Sequence, residues 1–242
     1  MKPPKPRIGT AGWSIPARYA GVFSEAGSGL ARYAARFDVA EINSSFHRSH
    51  KPATYVRWAE SVPAEFRFSV KLPKVITHER RLVGAAEPLD SFFAEIGGLG
   101  SKLGPILVQL PPSLSFDPEI AAAFFGALRA RQEGKVAFEP RHPSWFEPQA
   151  DALLVAHRIA RVGADPARVP EAAVPGGWPG LAYWRLHGSP RMYFSEYGRG
   201  FLAGLVKRLA RAEAETWCVF DNTASGAALG DALALQELTA DA

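Results

Sequence analysis

Lys135-Val136-Ala137-Phe138-Glu139-Pro140-Arg141-His142-Pro143-Ser144-Trp145-Phe146 is the stretch from which the fold is read. A short apolar run, too brief for a helix, halts at a carboxylate, a guanidinium and an imidazole packed into four positions. That is the pattern of a buried parallel strand delivering chemistry at its carboxyl end. The prolines on either side extend neither a ladder nor a helix, so they fix where the strand stops.

Outward from this stretch the same plan recurs, giving eight strand-like runs in all. Before it come Arg7-Ile8-Gly9-Thr10-Ala11, running into Gly12-Trp13-Ser14, then Val39-Ala40-Glu41-Ile42-Asn43, Phe66-Arg67-Phe68-Ser69-Val70-Lys71 and Ile106-Leu107-Val108-Gln109-Leu110. After it come Ile159-Ala160-Arg161-Val162-Gly163, closing on Asp165, then Leu181-Ala182-Tyr183-Trp184-Arg185-Leu186-His187-Gly188 and Trp217-Cys218-Val219-Phe220-Asp221-Asn222. Helical patterns fill the intervals at 29–37, 52–61, 88–99, 117–131, 149–157, 199–214 and 224–238. Gly97, Gly98 and Gly100 read as C-cap glycines, and residues 74–81 as a basic loop. Residues 166–180 hold four prolines and three glycines with no helical period, so the sixth crossover is expected to be a loop.

Alternating strands and helices with no long composition break call for one parallel sheet. Eight strands close economically into a single α/β barrel of the (β/α)₈ TIM type, expected to span residues 1–242 with residues 1–6 as a flexible tail. An open doubly wound sheet would show a Gly-rich turn leading directly into a helix after its first strand, and Gly9-Thr10-Ala11-Gly12-Trp13 matches that poorly.

The 242 residues are 47% hydrophobic and 21% charged, enough for a large core. No apolar run approaches the ~18 residues of a membrane span, and the Pro/Lys-rich N-terminus lacks the apolar stretch of a signal peptide. A single cysteine, Cys218, makes no internal disulfide; it reads as a buried filler, and the cytoplasm is the expected compartment. The net charge of +4 falls largely on helix surfaces, with no run of five basic residues. A small anionic molecule is thus the expected partner and nucleic acid the weaker one, while oligomeric state is not read from these features.

In such a barrel all carboxyl strand ends open on one face. Glu41, Asn43, Lys71, His78, Gln109, Glu139, Arg141, His142, Arg185, His187, Asp221 and Asn222 then gather around one mouth, with Trp13, Phe46 and Trp145 as candidate aromatic walls. Glu139, His187 and Asp221 are the catalytic candidates, with Glu139 as general acid or base and His187 as its partner. Lys71, Arg141 and Arg185 are candidates to hold substrate charge. Glu139 with Arg141 also fits a structural ion pair, and Asn222 also fits a helix N-cap. The small-residue loop 222–226 resembles a phosphate seat, against which the neighbouring Asp221 argues. The acids and His187 are of the kind that a divalent metal takes, but no HExxH or Cys/His spacing accompanies them.

Seven blocks in order, Gly9-Thr10-Ala11-Gly12-Trp13, Glu41-Ile42-Asn43-Ser44-Ser45-Phe46, Phe68-Ser69-Val70-Lys71 with Ile76-Thr77-His78, Lys102-Leu103-Gly104 with Gln109-Leu110-Pro111-Pro112, Glu139-Pro140-Arg141-His142-Pro143-Ser144-Trp145, Arg185-Leu186-His187-Gly188 and Asp221-Asn222-Thr223, resemble the YecE-like family of domains of unknown function. That resemblance covers almost the whole chain. It implies a TIM-type barrel and, because the family's activity is not established, no particular reaction. His47 stands where the family usually has tyrosine, and Ile15-Pro16-Ala17-Arg18-Tyr19 where it has a Tyr/Trp-rich segment.

The leading expectation is an enzyme using acid/base chemistry on a small anionic or polyhydroxylated substrate. The alternatives are a metal-dependent phosphodiesterase or nuclease-like barrel, and a non-catalytic barrel that binds a ligand or protein.

Overall fold

A computed structural model describes residues 5–240; most of the expected N-terminal tail, residues 1–4, lies outside the described residues. The strands are β1 (Arg7–Ala11), β2 (Val39–Ile42), β3 (Arg67–Lys71), β4 (Leu103–Gln109), β5 (Val136–Glu139), β6 (in two pieces, Ala160–Arg161 and Gly163–Asp165), β7 (Leu181–Leu186) and β8 (Glu215–Phe220). All pair in parallel in the ring order β7-β8-β1-β2-β3-β4-β5-β6.

β6 closes the ring by changing partners. Its first piece, Ala160–Arg161, pairs with β5, and its second, Gly163–Asp165, pairs with β7. Between them the Val162 amide donates to Phe138 O at 2.9 Å. The expected irregular sixth crossover is present as a short 3₁₀ turn (Pro170–Ala173) and a two-residue antiparallel piece, Gly176–Gly177, laid on β6.

Helices α1 (Gly29–Ala34), α2 (Pro52–Glu60), α3 (Ala86–Ile96), α4 (Pro118–Arg129), α5 (Pro148–Ala156), α6 (Arg199–Leu209) and α7 (Ala227–Ala240) lie in the intervals read as helical. Local chemistry sets their starts. Asp117 caps α4 by accepting from the Glu119 and Ile120 amides, both at 3.0 Å, and Pro118 occupies the first turn.

Two expectations need correction. Residues 74–81 are not a loop: Val75–Glu79 form a π-helical turn. Of the three expected C-cap glycines only Gly97 stands at the C-cap of α3, in αR conformation with its amide donating to Phe93 O, while Gly98 and Gly100 lie further on in a 3₁₀ helix; Gly98 is needed where its Cβ would lie 2.6 Å from Pro52 O, and only Gly100 of the three has positive φ.

Most of the core fills the space between ring and helices, as with Phe124, Phe125, Phe138 and Phe92; each such side chain contributes about 1.5–3 kcal/mol on burial. Cys218 is buried in this layer as expected. A second, smaller cluster lies inside the ring: Val39, Leu107, Ala137, Ala160, Val162, Leu181, Tyr183, Trp217 and Val219. Gly104 leaves room for the Trp217 ring, which would stand 2.7 Å from a Cβ there. Inward positions recur every second residue, so the series Leu181, Tyr183, Arg185, His187 climbs from an apolar floor to a charged top.

Candidate active site

Arg185 is the centre of the charged layer and has no solvent exposure. Its Nε and Nη2 fork onto Glu41, at 3.0 Å to Oε2 and 2.6 Å to Oε1, and Nη1 donates to Glu139 Oε2 at 2.9 Å. Nη2 also lies 3.0 Å from Asp221 Oδ2. Three carboxylates from β2, β5 and the end of β8 thus converge on one guanidinium from β7. Below them the Tyr183 hydroxyl donates to Glu41 Oε2 at 2.8 Å and meets Ser69 Oγ at 3.0 Å.

His187, one step nearer the mouth, has both ring nitrogens against carboxylate oxygens. Nδ1 is 3.1 Å from Asp221 Oδ2 and Nε2 is 3.0 Å from Glu139 Oε1. A neutral imidazole donates from one nitrogen only, so this placement favours the imidazolium. Burial alone would lower its pKa, but the negative charge of Glu139 and the bonds to Asp221 and Glu139 prevail and raise it. Burial works the other way on Glu139, where His187 and Arg185 prevail and hold the carboxyl well below its usual range. Asp221 is likewise lowered: burial opposes, and Arg185 and His187 prevail. Gln109 Nε2 at 2.9 Å and Arg141 Nε at 3.2 Å complete the donors to Glu139 Oε1.

Around the opening stand Asn43, whose Nδ2 donates to Asp221 Oδ1 at 3.3 Å, and Lys71, whose Nζ sits 4.1 Å over the Phe46 ring. His78 meets the same ring edge-on at 5.0 Å. Burial, then the charge of Arg185, bring the Lys71 pKa down to about 8. Tyr193 covers His187: its ring stands perpendicular at 5.8 Å, its amide donates to His187 O at 2.5 Å, and its φ is +69°. The cavity touching both Glu139 and His187, lined also by Arg141 and Met192, measures only about 10 Å³.

The structure therefore brings together Glu41, Asn43, Phe46, Lys71, His78, Gln109, Glu139, Arg141, Arg185, His187 and Asp221. It corrects four other expectations. Trp145 is a core residue 1% exposed, packed on Phe116 and Phe138 with its Nε1 donating to Leu114 O, because the 3₁₀ turn Pro143–Phe146 carries it behind the sheet. His142 caps that turn, accepting from the Ser144 amide. Asn222 is no side-chain N-cap: its Nδ2 donates to Ser195 O and Asp231 Oδ2 behind the mouth. Trp13 leans on Trp58 and Phe68.

Glu41 and Arg185, both without exposure, are components of the network beneath the mouth and do not reach a substrate from there. The 222–226 loop is not an open phosphate seat, since its Ala224 and Gly226 amides already donate to Tyr193 O and Thr223 O. Among the described residues no group of three or more His, Cys, Asp and Glu side chains is arranged to hold a metal; the acids are spent on Arg185. Sequence reasoning missed Tyr183 and Tyr193. The first was legible as the inward residue two before Arg185, whereas nothing in the sequence marked the second.

The family model described as "Protein of unknown function DUF72" matches residues 7–242. The chain belongs to this family. Among curated relatives, UPF0759 protein YecE of Escherichia coli K12 is 30% identical over 118 residues, 48% of this chain and 43% of YecE. UPF0759 protein YunF of Bacillus subtilis is 25% identical over 156 residues, 60% of this chain and 55% of YunF. The matched region thus spans about half the length of these relatives. Among solved structures, a DUF72 protein of Enterococcus faecalis V583 superposes with TM-score 0.82 at 21% identity, covering 98% of this chain and 96% of that one. One of Thermotoga maritima gives 0.78 at 25% identity, covering 96% and 98%. These neighbours agree with the barrel and name no reaction. No helix among the described residues is long and apolar enough to cross a membrane.

Proposed function

We propose that this DUF72 chain is a one-domain cytoplasmic enzyme performing acid/base chemistry on a small anionic or polyhydroxylated molecule at the barrel mouth. The observation that carries this reading is the His187 imidazole held between Glu139 and Asp221. A proton held between carboxylates whose own pKa values are depressed sits on the ring, ready to be given up and regained there.

The sequence suggested Glu139 as the acid or base. Four donors and a depressed pKa suit it better to a fixed counter-ion, which moves the proton-carrying role to His187, with Asp221 linking it to the opening. Arg141 and Lys71 are the cations placed to meet an anionic substrate, and Tyr193 has to swing aside to admit one. The single buried thiol fits a reducing compartment.

The test is turnover in a panel of phosphorylated sugars and hydroxy acids, repeated with His187→Asn and Asp221→Asn. Loss of ~10²-fold or more with unchanged thermal melting is expected. Wild-type turnover by His187→Asn overturns the assignment.

A further inference from the structure

Charge accounting around the mouth leaves one group over. Glu41, Glu139 and Asp221 are matched by Arg185, Arg141 and the His187 imidazolium, and Lys71 is surplus. Among the described residues its Nζ has no hydrogen-bond or ion-pair partner, while Glu41, Glu139 and Asp221 are each bonded elsewhere. The ammonium rests on the face of Phe46, and Asp221, Glu41 and Glu139 act on it only through space, their attraction outweighed by burial and the charge of Arg185. Residue 71 is 8% exposed, on the last position of β3, with Asp221 and His187 in the same mouth.

We propose that Lys71 is a nucleophilic amine that forms an imine with a carbonyl-bearing substrate, an aldehyde or ketone carrying an anionic group. This deepens the acid/base reading of the mouth and rests on it. The neutral Nζ attacks the carbonyl carbon, forming a C–N bond while the carbonyl π pair moves to oxygen. Transfer of one Nζ proton to that oxygen gives a neutral carbinolamine. The imidazolium of His187 then supplies the proton with which the hydroxyl leaves as water, and the nitrogen lone pair closes the iminium. A depressed lysine pKa, here near 8, is what makes the neutral amine available near neutral pH.

The experiment incubates the whole chain with pyruvate, dihydroxyacetone phosphate or glyoxylate in the presence of sodium cyanoborohydride, which fixes an iminium as a secondary amine. Peptide mass mapping follows the rate at each lysine. The exposed Lys51 and Lys74 serve as internal references. With at least one probe, Lys71 is expected to be labelled roughly tenfold or more faster than either, because its unpaired amine stands in the site with a pKa near 8. Labelling of Lys71 no faster than the references with all three probes overturns the proposal.

Because the trap reads the wild-type chain, it does not depend on a variant folding. Lys71→Arg, checked by its melting curve, should remove the adduct and any turnover. Turnover that survives Lys71→Arg yet is lost in His187→Asn overturns the imine and leaves the acid/base reading standing. Selective labelling of Lys71 with turnover indifferent to His187→Asn does the reverse.

Discussion

Arg185 and Glu41 form a forked ion pair in which neither side chain touches solvent. The pair is not there for stability alone, since an apolar replacement of similar volume commonly serves as well. It does make the layer intolerant of partial change. Arg185→Met, which leaves the buried Glu41 carboxylate with no cation and takes one partner each from Glu139 and Asp221, is expected to cost about 3–5 kcal/mol in urea unfolding. Arg185→Lys should recover little of that, because an ammonium lacks the planar fork that reaches Glu41, Glu139 and Asp221 together. A wild-type midpoint for Arg185→Lys would show that the geometry of the fork is unnecessary.

The pH dependence of folding follows from opposite shifts in one cluster. The native pKa of His187 is raised, so its contribution is complete below the ordinary value of about 6.5 and is lost as pH rises through the native value. Those of Glu139 and Asp221 are depressed, so their contributions are complete above the ordinary value of about 4 and are lost as pH falls through the native values. Denaturant titrations at a series of pH values should place this network's greatest contribution between about 4.5 and 6.5. His187→Asn should flatten the decline on the alkaline side.

Asp231 behaves oppositely to Glu139 and Asp221. Burial brings its pKa up to about 6, despite bonds from the Asn222 side chain and the Tyr197 amide. Its stabilising contribution is therefore complete below about 3.9 and lost as pH rises through about 6. Asp231→Asn should remove this segment of the stability profile while leaving the His187 segment in place.

Trp145 separates core from site. Trp145→Ala should cost about 3–5 kcal/mol through the cavity it leaves among Phe116, Phe125 and Phe138. Trp145→Phe, which keeps most of the volume, should leave any turnover at the mouth unchanged. A change in substrate affinity with unchanged stability would return Trp145 to the site.

Tyr193 gives a test of access. Tyr193→Gly removes both the ring over His187 and a side chain at φ +69°, a conformation that glycine adopts freely. Stability should change little, while carbethoxylation of His187, measured above its raised pKa, should accelerate several-fold. Equal rates in the two proteins would mean that Tyr193 does not gate the imidazole.

Much of this arrangement was legible in the sequence because strand residues alternate sides. Glu41, Glu139, Arg185 and His187 could be placed on one mouth from the runs that lead to them. The alternation ends with the ladder, and there the reading failed. His142 and Trp145 lie beyond Pro140, in a 3₁₀ turn that rotates them away from the axis. Asn222 follows Asp221 directly and so takes the opposite side. Tyr183 looked like core filling because its ring is core filling; only its hydroxyl belongs to the polar layer. Tyr193 depends on a loop whose backbone is fixed by contacts to Asn222, Ala224 and Ser225 in the segment that follows β8, which no local pattern records.

The sixth strand's change of partners at Val162 gives the ring a seam. Two ladders of two and three residues hold that joint, as short as the two-residue β1–β2 ladder and against runs of four to six across the joints flanking β8. Native-state breathing begins where the fewest bonds must part together. An opening there would free one flank of the strand that carries Arg185 and His187, so the joint that completes the cylinder also sets how firmly its charged centre is clasped.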